Sequence, residues 1–94
     1  MRVRWLRKAL ENLDAEASYI GEDDPAAARL VVTRIMTAVR HLSRQPRLGR
    51  PGRAPGTREL IVPRTRCLVP YRVRGNVVEI LRVFHVSRRL PQKW

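Results

Sequence analysis

Cysteine is nearly absent from this 94-residue chain, and the single one, Cys67, leaves no intrachain disulfide framework. Flanked by Arg66 and Leu68 in an apolar run, it reads as a small core residue. Aromatic side chains make up 5% of the chain against 44% hydrophobic residues in all, so the core must be aliphatic, built from Val, Leu, Ile and Ala. No apolar run approaches the roughly 18 residues that would cross a bilayer. The opening Met1-Arg2-Val3-Arg4-Trp5 has no long apolar stretch of the kind a secretory signal carries. The expectation is a cytoplasmic protein without membrane attachment, and a length that suits one domain over 1–94. Two histidines, His41 and His85, with no Cys/His spacing around them, give no basis for a metal site. Neither G-x-G-x-x-G nor G-x-x-x-x-G-K-[ST] occurs, so no nucleotide or other cofactor is expected, and Gly49, Gly52 and Gly56 read as a connector.

Acidic residues are the most telling scarcity. Eight Asp and Glu stand against twenty Lys and Arg, a formal charge of +12, and six of the eight lie in the first 24 residues. Residues 25–94 therefore keep two carboxylates, Glu59 and Glu79, among sixteen basic residues. Almost all of that charge is Arg, whose planar fork of donors suits carboxylate and phosphate, whereas Lys is a hydrated point charge. Such a field calls for a polyanionic partner, either nucleic acid or an acidic protein segment. A basic surface kept for solubility is the plainer alternative.

Arg2 to Trp5 alternates charged and apolar residues, as a short half-exposed strand does. Leu6, Leu10, Leu13, Ala17 and Ile20 recur at steps of four and three and mark a first amphipathic helix, closed by Gly21. A second helix starts with Asp24 as N-cap and Pro25 at its first position, and carries Ala28, Val31, Val32, Ile35, Val39 and Leu42 on its apolar face. Arg29, Arg40, Arg44 and Arg47 fall within about 60° of one another on the opposite side, either a solvated face or an RNA clamp. Gly49, Pro51, Gly52, Pro55 and Gly56 then prevent regular structure.

Three strand-like runs follow: Thr57–Val62, Cys67–Val73 and Val77–Phe84. Pro70 inside the second implies an edge position or a bulge. Gly75-Asn76 is a two-residue hairpin signal between the second and third. His85 to Trp94 reads as an irregular polar tail. The order β-α-α-β-β-β predicts an α+β fold with a helical hairpin packed on a mostly antiparallel four-stranded sheet.

This order resembles the RelE/ParE toxin superfamily of type II toxin–antitoxin systems. The resemblance rests on Tyr19-Ile20 before Glu22-Asp23-Asp24-Pro25-Ala26-Ala27-Ala28, on Leu48-Gly49-Arg50-Pro51-Gly52, and on Gly56-Thr57-Arg58-Glu59-Leu60. It continues through Tyr71-Arg72-Val73 and Val78-Glu79-Ile80-Leu81-Arg82-Val83-Phe84-His85 to Arg88-Arg89, and ParE-like plasmid-stabilisation members are the most similar. It implies a growth inhibitor held in a hetero-oligomer by a cognate acidic antitoxin. The superfamily contains DNA gyrase inhibitors and ribosome-dependent mRNA endonucleases, and fold alone does not choose between them.

A metal-independent endoribonuclease needs a base for the ribose 2′-OH, cations for the phosphate and an acid for the leaving oxygen. Here the candidates are His85, Arg82, Glu59 and Arg58, with Tyr71 nearby in the chain. His85 has a plainer reading as a strand-end residue bonded to backbone. Endonuclease-like relatives show Arg-x-x-Tyr on the middle strand; aligned on Tyr71, that arginine is Leu68 here, and no Tyr follows His85. A gyrase inhibitor asks for an exposed basic and apolar surface instead, for which Arg58, Arg72, Arg82, Arg88 and Arg89 are the candidate target- or antitoxin-binding residues. The sequence favours gyrase over mRNA.

Overall fold

The computed structural model describes residues 1–87. Strand β1 (Arg2–Trp5) leads into helix α1 (Arg7–Gly21), which turns directly into α2 (Pro25–His41). The turn works as its residues dictate: Asp24 is extended and its Oδ1 accepts the Ala27 N–H at 3.1 Å, with Pro25 where a missing N–H costs nothing. After a connector come β2 (Arg50–Pro51), β3 (Arg58–Ile61), β4 (Cys67–Arg74), β5 (Val77–Ile80) and β6 (Phe84–His85). No helix among the described residues is long and apolar enough to cross a membrane.

The sheet runs β1-β5-β4-β3-β2, with β6 continuing alongside β4. Every pairing is antiparallel except β1 with β5, so the sheet is mixed. Four main strands match the expected set, but the expected run Val77–Phe84 ends as β5 at Ile80 and resumes as β6 at Phe84–His85, reaching one residue beyond its expected end. β2 is a two-residue addition that the composition of the connector concealed. Gly75, at a φ of 57°, makes the two-residue hairpin between β4 and β5.

One sheet face carries Leu60, Val69, Tyr71, Val78 and Ile80, all buried, and meets Ala9 of α1 and Ile35, Val39 and Leu42 of α2. Trp5 and Val3 pack against the rim of this core, and Cys67 lies within it. The face of α1 is turned from the expected stripe. Leu10 is 50% exposed while Ala9 and Glu16 are buried, because a small residue at Ala9 lets the helix settle close to the sheet.

Pro70 is the main departure. It sits in the middle of the sheet, with β3 on one side and the β5–β6 strand on the other, and not at an edge. Its carbonyl accepts the Leu81 N–H at 2.9 Å, so its missing N–H faces the Leu81 carbonyl. That carbonyl instead accepts the Arg82 guanidinium at 2.6 Å. Three steps along β4, from Tyr71 to Leu68, face four along its neighbour, from Ile80 to Phe84. One extra residue is accommodated there, which is a β-bulge. The bulged Val83 N–H finds Asn12 Oδ1 of α1 at 3.1 Å. Pairing resumes with His85 opposite Cys67, so His85 belongs to the sheet and not to an irregular tail.

Candidate functional site

Tyr71 is wholly buried in β4, yet its hydroxyl reaches the connector beyond α2. It donates to the Pro46 carbonyl at 2.7 Å and accepts the Gly49 N–H at 2.9 Å. Burial raises the Tyr71 phenol above its ordinary range, against the opposing pull of the Gly49 N–H and Arg58. Arg58, directly opposite Tyr71 in β3, donates to the Gly49 carbonyl at 2.8 Å. Gly49 must be glycine: a Cβ there would lie 2.7 Å from the Tyr71 ring and 2.8 Å from the Glu59 carbonyl.

Glu59, on the other face of β3, is buried and clasped by two arginines of the same connector. Arg50 donates to Oε1 at 3.1 Å; the backbone N–H and the guanidinium of Arg53 donate to Oε2 at 3.0 and 3.1 Å. Burial works to raise the Glu59 carboxyl, but these donors outweigh it and hold the group below its ordinary range. Gly52 approaches Thr57 so closely that any Cβ would strike the Thr57 hydroxyl.

The connector held in this way forms one wall of a groove of about 630 Å³, whose other walls are α2 and β3. From α2 come Arg34, Thr37 and His41, one helical face; from the opposite side come Leu48, Ile61 and Arg64. Leu48 is 50% and Ile61 55% exposed, apolar surface that the fold leaves uncovered. The Arg34 guanidinium bridges the groove end by donating to the Arg64 carbonyl at 3.0 Å. β2 pairs with β3 at Arg58 and Glu59 alone, so Leu60 and Ile61 stand at an edge that β2 does not reach. Apolar side chains, arginines and an open strand edge together suit an acidic, partly apolar peptide.

The candidates named from sequence are dispersed by this fold. Arg58 and Glu59 are adjacent in β3 and therefore point to opposite faces, both engaged by the connector. Arg82 sits in the bulge against the Leu81 carbonyl. His85, by its pairing with Cys67, belongs to the opposite face from Glu59, which pairs with Pro70; its Nδ1 contacts Ser87. Arg72 donates to Glu79 at 2.7 Å, and that bond, against the smaller effect of burial, keeps the Glu79 carboxyl low. Arg88 and Arg89, and also Trp94, lie outside the described residues. Arg29, Arg40, Arg44 and Arg47 are exposed, and Arg40 reaches no further than Thr37. Among the described residues no group of three or more His, Cys, Asp or Glu is placed to hold a metal ion.

Sequence reasoning missed Arg34, Arg64, Leu48 and Ile61. Periodicity places Arg34 on α2 but does not reveal that β3 runs beside it. The one available signal was the neighbouring apolar Ile61 on a strand otherwise expected to alternate.

The model of the family described as "ParE toxin of type II toxin-antitoxin system, parDE" matches residues 3–90. The candidate toxin Y4kP of Sinorhizobium fredii is 47% identical over 91 residues, spanning 97% of this chain and 94% of that protein. Toxin RelE2 of Caulobacter vibrioides is 33% identical, spanning 93% of this chain and 97% of that one. Among solved structures, a chain of the chromosomal ParDE toxin–antitoxin system from P. aeruginosa superposes with a TM-score of 0.84 at 34% identity, covering 92% of this chain and 96% of that chain. The RelBE2 toxin–antitoxin complex of Mycobacterium tuberculosis gives 0.57 at 28% identity, covering 89% and 88%.

Proposed function

Because the chain belongs to the family of ParE toxins of type II toxin–antitoxin systems, we propose that it arrests growth by acting on DNA gyrase, and that an acidic segment of its cognate antitoxin silences it from the groove between α2 and β3. The observation that carries the choice of target is the match to the ParE model over residues 3–90. The higher TM-score with the ParDE chain, 0.84 against 0.57 with RelBE2, points the same way.

The geometry is consistent with this choice. A gyrase inhibitor acts by occupying a surface and needs no convergent acid, base and phosphate clamp. Arg58 and Glu59 spend their polar groups on the connector, and His85 stands on the face away from Glu59. For the antitoxin, the groove offers what an acidic chain that folds on contact would use: exposed apolar surface at Leu48 and, along the open β3 edge, at Ile61, with Arg34, Arg64 and His41 around them. The toxin–antitoxin hetero-oligomer follows from that docking.

Cleavage of ribosome-bound mRNA is the second reading, favoured by the relative named RelE2 and by the RelBE2 fold. The two diverge in a growing cell. Under induced expression, pulse labelling should show DNA synthesis falling before protein synthesis, and co-expression of the antitoxin should restore both. Protein synthesis failing first would reverse the choice of target. Unimpaired growth at good yield of the chain would remove the toxin reading altogether.

A further inference from the structure

Beyond the groove and the connector, a patch of surplus positive charge lies on the sheet face turned away from the helices. Strand register, and not sequence proximity, assembles it. Arg4 pairs with Glu79, and Glu79 with Arg72, giving one row across β1, β5 and β4. Arg2 pairs with Val77, and Val77 with Arg74, giving the next row. Residues directly opposite one another share a face, and Val3 and Trp5, which alternate with these arginines, pack on the core side. Arg2, Arg4 and Arg74 are exposed and Arg72 is half-buried. Glu79 is the one carboxylate in the two rows; Arg72 bonds it, and the charges of Arg74 and Arg4 add to the effect on it. Four guanidiniums around one carboxylate leave about three positive charges.

We propose that this two-row arginine face of β1, β5 and β4 binds the phosphate backbone of duplex DNA. Its dimensions suit that partner. The outer strands of a three-strand row stand about 9–10 Å apart, and the rows about 7 Å apart. A duplex strand carries a phosphate every ~3.4 Å of axis, so the face spans about three phosphates, equal to its surplus charge. Single-stranded nucleic acid is bound on aromatic platforms that stack bases. The rows contain Arg, Val and Glu, and Trp5 turns its ring toward the core side. The preference for DNA over duplex RNA rests on the gyrase reading, since gyrase works on duplex DNA. Contact with the backbone would let the toxin sit against its target and the bound DNA together, without reading sequence.

The test is the affinity of the full chain for a labelled duplex of about 20 base pairs, followed by fluorescence anisotropy between roughly 50 and 200 mM salt. About three neutralised phosphates predict a slope near −2.7 in log affinity against log salt from this face, a loss of about 40-fold across that range. The triple variant Arg2→Gln/Arg4→Gln/Arg74→Gln should bind at least tenfold more weakly at about 100 mM salt, with a slope shallower by two to three. Arg29→Gln/Arg44→Gln/Arg47→Gln removes the same charge from α2 and its extension and should change the slope by less than one. If the triple variant melts early, the double variant Arg2→Gln/Arg74→Gln, which leaves the Glu79 row intact, should lose one to two units of slope. An unchanged slope in the sheet variants, an equal loss in the helix variant, tighter binding of duplex RNA, or equally good competition by polyglutamate would each overturn the proposal. Gyrase inhibition is measured separately without reference to this affinity: inhibition without DNA binding sinks the proposal alone, and DNA binding without inhibition sinks the gyrase reading.

Discussion

Tyr71 and Arg58 face each other across β4 and β3 and grip the two polar groups of one residue: Gly49 gives its N–H to the Tyr71 hydroxyl at 2.9 Å and its carbonyl to the Arg58 guanidinium at 2.8 Å. The same hydroxyl donates to Pro46 at 2.7 Å. A connector rich in Gly and Pro is thereby held against the sheet, and one wall of the groove is set. Two residues that read as nuclease parts from sequence instead hold the connector in place.

Tyr71→Phe keeps the ring and deletes both bonds, leaving the Pro46 carbonyl and the Gly49 N–H without their partner. Expected is a loss of about 1–3 kcal/mol in urea unfolding, with the m-value unchanged. An unchanged midpoint would mean that water serves the connector equally well.

Gly49→Ala places a methyl group against the Tyr71 ring and the Glu59 backbone carbonyl, neither of which can turn away. A cost of roughly 2 kcal/mol or more is expected. Gly56→Ala differs in kind: nothing lies within 4 Å, and only its φ of +76° resists, at about 1–2 kcal/mol. Thermal unfolding of the two variants should rank them in that order.

Glu59 confers acid sensitivity with a definite sign. Its folded carboxyl titrates below the ordinary value of 4.5, so its contribution is present above that value. The contribution falls away as pH drops below 4.5 and through the lower folded pKa. Glu59→Gln should be less stable than the parent at neutral pH and should lose less on acidification. Denaturant midpoints measured for both proteins from pH 7 downward check this; parallel curves would contradict it.

Ile61→Asp puts a carboxylate where an acidic partner is expected to bury apolar surface. Antitoxin affinity should fall by roughly 10- to 100-fold, since burying an Ile is worth about 1.5–3 kcal/mol. Toxicity should persist, and calorimetric titration with antitoxin reports the difference. Undiminished affinity would move the antitoxin elsewhere.

Much of the fold was legible because its signals are local. Asp24-Pro25 ends one helix and starts the next, and Gly75-Asn76 closes a hairpin, each through the chemistry of two residues. Pro70 announced a bulge, correctly, but not its central place in the sheet, since the missing N–H is tolerable wherever the neighbouring strand is itself broken. The parallel union of β1 with β5 joins residues some 75 apart and leaves no mark on either segment. The candidate site was harder for the same reason. Both carboxylates of residues 25–94, Glu59 and Glu79, are committed to arginines, Glu59 within nine residues of chain and Glu79 across a hairpin. Charge counting sees the surplus of arginine but not which guanidiniums the fold leaves facing outward.

The most direct measurement of the central claim is supercoiling by purified gyrase in the presence of the chain, with cleavage of ribosome-bound mRNA followed in parallel. Inhibition of supercoiling that persists in His85→Ala and is lifted by the antitoxin is the predicted result. Intact supercoiling together with mRNA cleavage that is lost in His85→Ala would contradict it.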